Sequence, residues 1–269
     1  MLAVAVPIGL LIGLSLGALG GGGSILTVPA LVYLLHQQSH AATTGSLLIV
    51  GITALAGMAA HRRAGRVRVA QGVTFGILGV AGSYAGTRLS AGVAPDLLLT
   101  LFAVLMLVAA GAMLRRRRPA GRRTAHGRTA HGRTGRWWRR LSRAVSSSGK
   151  IVAAATAVGL LTGFFGVGGG FVIVPALVLA LGFDMPAAVG TSLLVITINS
   201  AVALAARLGG HVHLDWPLLA VFTVAATAGT VAGNRVASRV DASRLTAAFT
   251  VLLAAVAVYS LGRSLPGLV

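Results

Sequence analysis

The stretch Gly13-Leu-Ser-Leu-Gly-Ala-Leu-Gly-Gly-Gly-Gly-Ser24 recurs 146 residues later as Gly159-Leu-Leu-Thr-Gly-Phe-Phe-Gly-Val-Gly-Gly-Gly170. Three further matches follow it along the chain. They are Val28-Pro-Ala-Leu-Val32 with Val174-Pro-Ala-Leu-Val178, Ser46-Leu-Leu48 with Ser192-Leu-Leu194, and, at an offset of 147, Ala85-Gly-Thr-Arg88 with Ala232-Gly-Asn-Arg235. Hydrophobicity alone does not produce matched glycine, proline and arginine positions. The chain therefore predicts a duplicated unit, which is a common architecture in transporters.

Composition places the duplicated unit in a membrane. The 269 residues are 56% hydrophobic and only 10% charged, whereas soluble domains are about a quarter charged. Inside lipid, only helices and closed barrels satisfy every backbone polar group, and these segments lack the alternation of barrel strands. Uncharged segments long enough to span a bilayer lie at 41–60, 69–87, 97–114, 151–181, 187–206, 216–234 and 245–262. We therefore expect an all-α, polytopic membrane protein.

The repeat divides the chain into three regions. Residues 1–114 and 151–269 are the first and second transmembrane halves, each with about four helical segments, of which the first is broken by glycines. Residues 115–150 form a linker with thirteen of the 23 basic residues, and its composition predicts a disordered segment. We interpret the linker as a cytoplasmic loop that touches anionic lipid headgroups; nucleic-acid binding is the alternative.

Charge counting leaves the relative orientation of the halves open. If each long first segment crosses the membrane once, 19 basic residues lie on the linker side and four on the other. If each long first segment is a hairpin, the halves are inverted and the counts become 20 and three. Both models place the linker in the cytoplasm.

The glycine runs are the most informative candidates for function. Polyglycine is a poor helix former, and Pro29 and Pro175 suit the first turn of a helix. We therefore expect each long segment to consist of a helix, an unwound glycine stretch and a second helix that starts near its proline. The N-terminus of such a half-helix offers free N–H groups to an anion. The alternative is that the glycines only permit close helix packing.

Polar side chains inside the spans complete the candidate site. Asn199 is the most polar residue deep in any span, and it either contacts substrate or forms an interhelical hydrogen bond. Serine and threonine hydroxyls either contact substrate or bond to their own helix. The predicted substrate-binding residues are Gly20, Gly21, Gly22, Gly23, Ser24, Ser46, Gly166, Gly168, Gly169, Gly170, Thr191, Ser192 and Asn199.

The sequence shows no motif for thiol chemistry, metal binding, catalysis or nucleotide binding. Cysteine is absent, no metal-ligand cluster or nucleophile–base pair is visible, and neither glycine run ends like a nucleotide-binding loop. We therefore expect no cofactor, no metal, no nucleic-acid partner and no enzymatic activity. All histidines are placed at the membrane interface or in the linker; the interfacial ones are His36, His40, His61, His211 and His213.

The duplicated glycine stretches with their Val-Pro-Ala-Leu-Val endings, Gly190-Thr-Ser-Leu193 and Ala232-Gly-Asn-Arg235 together resemble the sulfite exporter TauE/SafE family. The resemblance covers nearly the whole chain except 115–150. It implies a permease of the bacterial plasma membrane, a secondary carrier for sulfite, sulfonates or related anions. It also places substrate contacts on the two glycine stretches and on Thr191-Ser192. The first half departs from the pattern, because Thr44-Gly45-Ser46 places its glycine differently.

Two other functions remain as alternatives. The first is a permease for another small organic or inorganic anion, and the second is a non-transporting membrane scaffold. Whichever function holds, a homo-oligomer is a further expected partner state of the chain.

Overall fold

The structure is a computed structural model, and it describes residues 2–35, 37–90, 95–116, 149, 152–164, 170–206 and 214–264. These residues form an all-α, polytopic membrane protein. Its helices are α1 (Leu2–Leu19), α2 (Gly22–Pro29), α3 (Ser39–Arg63), α4 (Val69–Ser90), α5 (Pro95–Arg116), α6 (Val152–Phe164), α7 (Gly170–Leu179), α8 (Met185–Ala205), α9 (Trp216–Arg239) and α10 (Ala242–Ser264). Among the described helices, α3, α8, α9 and α10 contain the segments that are long and apolar enough to cross a membrane.

The first long segment is a helical hairpin rather than a single crossing. Helix α1 ends at Leu19, and the chain reverses at Gly20, whose φ of +76° favours glycine. Gly23 already lies back against α1, since a Cβ there would sit 2.7 Å from the Cβ of Leu16. Farther on, Leu35 shares one buried cluster with Ala5 near the start of α1. The hairpin therefore returns to the end of the bundle from which it started.

The positions of the two prolines differ from the sequence prediction. Helix α2 begins at Gly22, so Pro29 is its last residue and not its first, and Pro175 lies in the middle of α7. The helix starts early because the chain has already reversed at Gly20, and within the new helix Ser24 Oγ donates to the Gly21 carbonyl and Thr27 Oγ1 donates to the Gly23 carbonyl, at 2.8 Å each. Proline supplies no N–H, and after Pro29 the chain widens into a π-helical turn over Ala30–Leu34.

Each half contributes its first helix to the other half. Helix α1 packs on α9, and α6 packs on α4. Glycines make both contacts: a Cβ at Gly17 would overlap the backbone of Thr230, and a Cβ at Gly163 would overlap that of Ser83. One turn earlier, Gly13 meets Ala226 and Gly159 meets Gly79 in the same way. The two interfaces are equivalent under the sequence offsets, and backbones touch because no side chain intervenes.

The contact registers show that the halves are inverted. Along α1 and α9, as along α6 and α4, contact positions advance together, so each pair is parallel. Helices α3 and α9 are also parallel, because Gly45 meets Leu219 and Gly57 meets Thr230.

Helices α3 and α8 are antiparallel, because Gly57 also meets Leu193 and Gly51 meets Ser200. Helices α4 and α8 are parallel, because Gly72 lies beside Leu194 and Gly76 lies beside Ile198. Thus α1, α3 and α9 run one way, and their counterparts α6, α8 and α4 run the other.

One end of the bundle can be named from the chain path. Helix α3 ends there, α4 begins there after a five-residue loop, and α6 begins there, so we call it the linker end. The loop packs on α8: the Arg68 backbone N–H donates to Thr191 Oγ1 at 3.1 Å, and the Arg68 guanidinium lies 6.0 Å from the ring centre of Phe183. Helix α1 therefore points its C-terminal end toward the linker end.

Candidate functional site

The two glycine stretches meet inside the bundle. A Cβ at Gly21, at the turn of the first hairpin, would overlap the carbonyl of Gly170, where α7 begins. A Cβ at Gly170 would in turn overlap Ser24 Oγ and lie 3.0 Å from Cδ1 of Ile196 on α8. The N-terminal turns of α2 and α7 thus lie against each other beside the middle of α8. This contact brings four predicted residues together: Gly20, Gly21, Ser24 and Gly170.

Ser192 holds the turn of the first hairpin. Its Oγ is 2.9 Å from the carbonyl oxygen of Gly20 and 2.8 Å from that of Val189, one turn earlier on its own helix. Ser192 is fully buried, and a Cβ at Gly20 would lie only 2.6 Å from its Oγ. A hydroxyl has one hydrogen to donate, so the two carbonyls compete for it. The bond to Gly20 is therefore exchangeable.

Asn199 lies two helical turns beyond Ser192. Seven residues correspond to nearly two full turns of an α-helix, so the two side chains project from one stripe of α8. Ile196, which contacts Gly170, lies between them along the helix. The amide oxygen of Asn199 is buried and has no hydrogen-bond partner within the described part of the chain. A buried amide oxygen without a donor is costly, so this stripe has unused polar capacity.

Thr191 points elsewhere. Its Oγ1 accepts from the Arg68 backbone N–H, and its Cγ2 faces Gly72 on α4. The neighbouring Ser192 is rotated by about 100° around the helix, and only that residue reaches the hairpin turn. The structure thus brings Ser192, and not Thr191, to the glycine contact.

Ser46 lies toward the opposite end of the bundle. It is the counterpart of Ser192, and its Oγ donates to the Thr43 carbonyl at 2.8 Å, as Ser192 does to Val189. Because α3 and α8 are antiparallel, these two serines are separated along the bundle axis. Gly22 and Gly23 form the first turn of α2 beside the contact. Gly166, Gly168 and Gly169 lie outside the described residues.

His61 lies in the last turn of α3, next to Arg62 and Arg63, but it is buried within the protein. Its side chain is only 1% exposed, and its Nε2 lies 3.3 Å from the carbonyl oxygen of Gly17 in the last turn of α1. The burial arises because α1 and α8 both pack over this face of α3; Gly190 on α8 leaves room for the His61 Cβ. No periodic signal in the sequence distinguishes this residue from a histidine at a membrane surface.

Asn234 was also not among the predicted residues. Its amide oxygen is buried and has no hydrogen-bond partner within the described chain. It follows Thr230 by one turn of α9 on the side facing α1 and α3. Its position in the repeated Ala232-Gly-Asn-Arg235 segment is the signal that could have identified it, since its counterpart in the first half is Thr87.

The contact region presents neutral donors of the kind that bind anions. The first N–H groups of a helix have no intrahelical acceptor and carry partial positive charge, and two such helix starts meet at Gly21 and Gly170. Ser24 and Ser192 lie on the same surface, but each donates its one hydroxyl hydrogen to a backbone carbonyl and must turn away from it before it can donate to an anion. No acidic side chain occurs on α1, α2, α7 or α8 to repel a negative charge.

The chain is similar in sequence to proteins that are described as membrane transporters. The family model described as sulfite exporter TauE/SafE matches residues 5–260. Two proteins described as probable membrane transporter proteins, from two strains of Xylella fastidiosa, are 33% and 34% identical over all of this chain and 98% of their own length. The Bacillus subtilis probable membrane transporter protein YunE is 28% identical over 81% of this chain and 82% of its own length. No solved structure matches the chain.

Proposed function

The chain belongs to the sulfite exporter TauE/SafE family of membrane transporters, and from that membership we propose that it is a secondary carrier for small oxyanions such as sulfite and sulfonates. The observation that supports the substrate class is the contact between Gly21 and Gly170, where two helix N-termini meet inside the bundle. A sulfonate, like the sulfite dianion, has several acceptor oxygens and no donor, so it matches a surface of N–H and O–H groups.

The inverted halves suggest how the anion crosses. Helices α1 and α6 are each packed on a helix of the opposite half, so rocking one half against the other moves the contact between Gly21 and Gly170 relative to the ends of the bundle. In inverted-repeat carriers, such a motion opens a central site alternately to each side. The Ser192 hydroxyl lies within hydrogen-bond distance of both the Gly20 and Val189 carbonyls, so it can leave either one and turn toward an anion in this cycle.

We place the carrier in the bacterial plasma membrane with the linker end in the cytoplasm. Four arginines lie between 62 and 68, thirteen basic residues lie in the linker, and three arginines lie between 235 and 244. The seven arginines outside the linker lie at the linker end of the bundle, and together with the thirteen linker residues they favour this end as the cytoplasmic side by the positive-inside rule. This concentration of cations also suits contact with anionic lipid headgroups.

The test is flux in liposomes that contain the purified chain. Labelled sulfite, a sulfonate, sulfate and an organic acid would be offered in turn, each with the others as competitors. We expect saturable sulfite or sulfonate uptake that fails in the variant Gly21→Leu while that variant still inserts. Saturable flux of the organic acid alone would favour a different anion, and no flux across the panel would favour a scaffold.

A further inference from the structure

We propose that His61 binds the proton that is transported together with the anion. The proposal rests on the proposed anion transport and adds the coupling ion to it. Among the residues that the structure describes, His61 is the only buried side chain with an ionisable group. An ionisable residue within a membrane-spanning helix is costly to bury, and such residues commonly lie on ion pathways. Histidine is also the side chain that changes charge closest to neutral pH.

The hydrogen bonding of His61 leaves one nitrogen free for a proton. Nε2 donates to the Gly17 carbonyl at 3.3 Å, which places the hydrogen of the neutral imidazole on Nε2. Nδ1 is then a lone-pair acceptor; it is buried and has no partner among the described residues. A proton can therefore bind at Nδ1 without breaking the bond to Gly17.

A second unused acceptor lies at the same level of the bundle. Helices α3 and α9 are parallel and touch at Gly57 and Thr230. One turn farther along each helix come His61 and Asn234, and the amide oxygen of Asn234 is also buried without a partner. Two acceptors without a donor favour a proton or another donor, and disfavour an anion. An imidazole nitrogen selects the proton over an alkali cation.

The charges around His61 couple the proton to the anion. Helices α1 and α8 carry no ionisable side chain, α9 presents only Arg235 and Arg239 near this level, and the remaining neighbours are Arg62, Arg63 and Arg66. The carboxylates at this end of these elements are Asp184, which caps the start of α8, and Asp241, which follows α9; within the helices, the counter-charges for an imidazolium are the last carbonyls of α1 and a bound anion. Gly17 lies three residues before Gly20, so the anion would sit within one helical turn of this end of α1. Each ligand therefore favours the other, and by reciprocity the coupling acts in both directions.

The test separates coupling from transport. Liposomes loaded with a pH-sensitive dye would receive labelled sulfite, or whichever anion the flux panel identifies, with and without an imposed pH gradient and with the membrane voltage clamped. We expect the pH gradient to drive accumulation in the wild-type chain. In His61→Gln, whose amide can still donate to Gly17 but cannot take a proton, accumulation should fall at least tenfold while exchange of labelled for unlabelled anion persists. His40→Gln, near the other end of the same helix, is the matched control.

A second measurement does not depend on flux. Nitrogen-15 NMR of histidine-labelled chain in lipid nanodiscs should show one imidazole with the Nε2–H tautomer that gains a proton at Nδ1 on acidification, and that signal should be missing in His61→Gln. Accumulation driven equally by the gradient in wild type and His61→Gln would overturn the proposal, as would a His61 signal that does not change with pH. Titration of His61 in a chain that moves no anion would leave the proton site standing and remove the proposed transport instead.

Discussion

Ser192 and Gly20 are 172 residues apart in sequence, and the hydroxyl of the first lies 2.9 Å from the carbonyl oxygen of the second. The bond joins the middle of a membrane-spanning helix of the second half to the turn of the first half's hairpin. It therefore ties together the two elements that an alternating-access motion would have to separate.

Replacing Ser192 with alanine should reduce anion flux about tenfold, with little change in the amount of chain in the membrane. A hydrogen bond of this kind contributes about 1 kcal/mol, so the fold is retained while the hairpin turn loses its anchor. Flux in liposomes measures the effect. The control is Ser238→Ala, because Ser238 makes the same bond to its own helix but is exposed. Equal flux in both variants would contradict a role for Ser192 in the cycle.

Replacing Gly21 with alanine should abolish transport even though only one methyl group is added. The new Cβ overlaps the Gly170 carbonyl, which is backbone and cannot rotate away, so the starts of α2 and α7 are forced apart. Flux and membrane insertion are measured on the same preparation. Wild-type flux in Gly21→Ala would mean that the hairpin contact is loose and is not the substrate site.

Adding a methyl group to the glycines between α1 and α9, or between α6 and α4, should destabilise the fold. Gly17→Ala and its counterpart Gly163→Ala each place a Cβ against backbone, and overpacking of this kind costs about 1–3 kcal/mol. Gly111→Ala on α5 meets nothing within 4 Å and should stabilise its helix by about 1 kcal/mol. The melting temperature in detergent should therefore fall for Gly17→Ala and Gly163→Ala and rise for Gly111→Ala. A rise in melting temperature for Gly17→Ala would refute the close backbone contact.

The inverted arrangement predicts which loops share a side of the membrane. The chain has no cysteine, so single cysteines can be introduced without background. Ala64→Cys and Asp241→Cys should react with an impermeant thiol reagent from the cytoplasmic side, and Gln38→Cys should react from the other side. Labelling of Asp241→Cys from outside would instead support two straight first segments.

Deleting Pro119–Arg136 from the linker should leave transport nearly unchanged. The deletion removes none of the residues that form the hairpin contact, and basic residues remain at both ends of the linker to hold the orientation. Flux per inserted molecule is the measurement. A loss of several-fold or more would show that this segment takes part in the cycle.

The sequence predicted the helices because their apolar segments are long and uncharged. Predicted segments such as 69–87 and 216–234 fall within α4 and α9, and the glycine interruption in the first segment appears at Gly20 and Gly21. The predicted start of the second helix was wrong, because the chain reverses within Gly20 and Gly21 and α2 begins directly afterwards, seven residues before Pro29.

The remaining features depend on long-range packing. Two orientations of the halves gave almost the same charge balance, and only contacts such as Gly57 against Leu193 distinguish them. Thr191 and Ser192 are adjacent in sequence but project in different directions, which depends on how α8 is rotated in the bundle. The burial of His61 likewise depends on α1 and α8 lying over it.

The exchange of first helices between the halves has a consequence for biosynthesis. Thr230 Oγ1 lies 3.1 Å from the Gly13 carbonyl, and 217 residues separate the two. During translation, α1 enters the bilayer long before α9 has been synthesised. Until then, the glycine-lined side of α1 is not packed against α9. Neither half expressed alone can complete its packing, whereas the two halves produced together as separate chains should find each other and assemble.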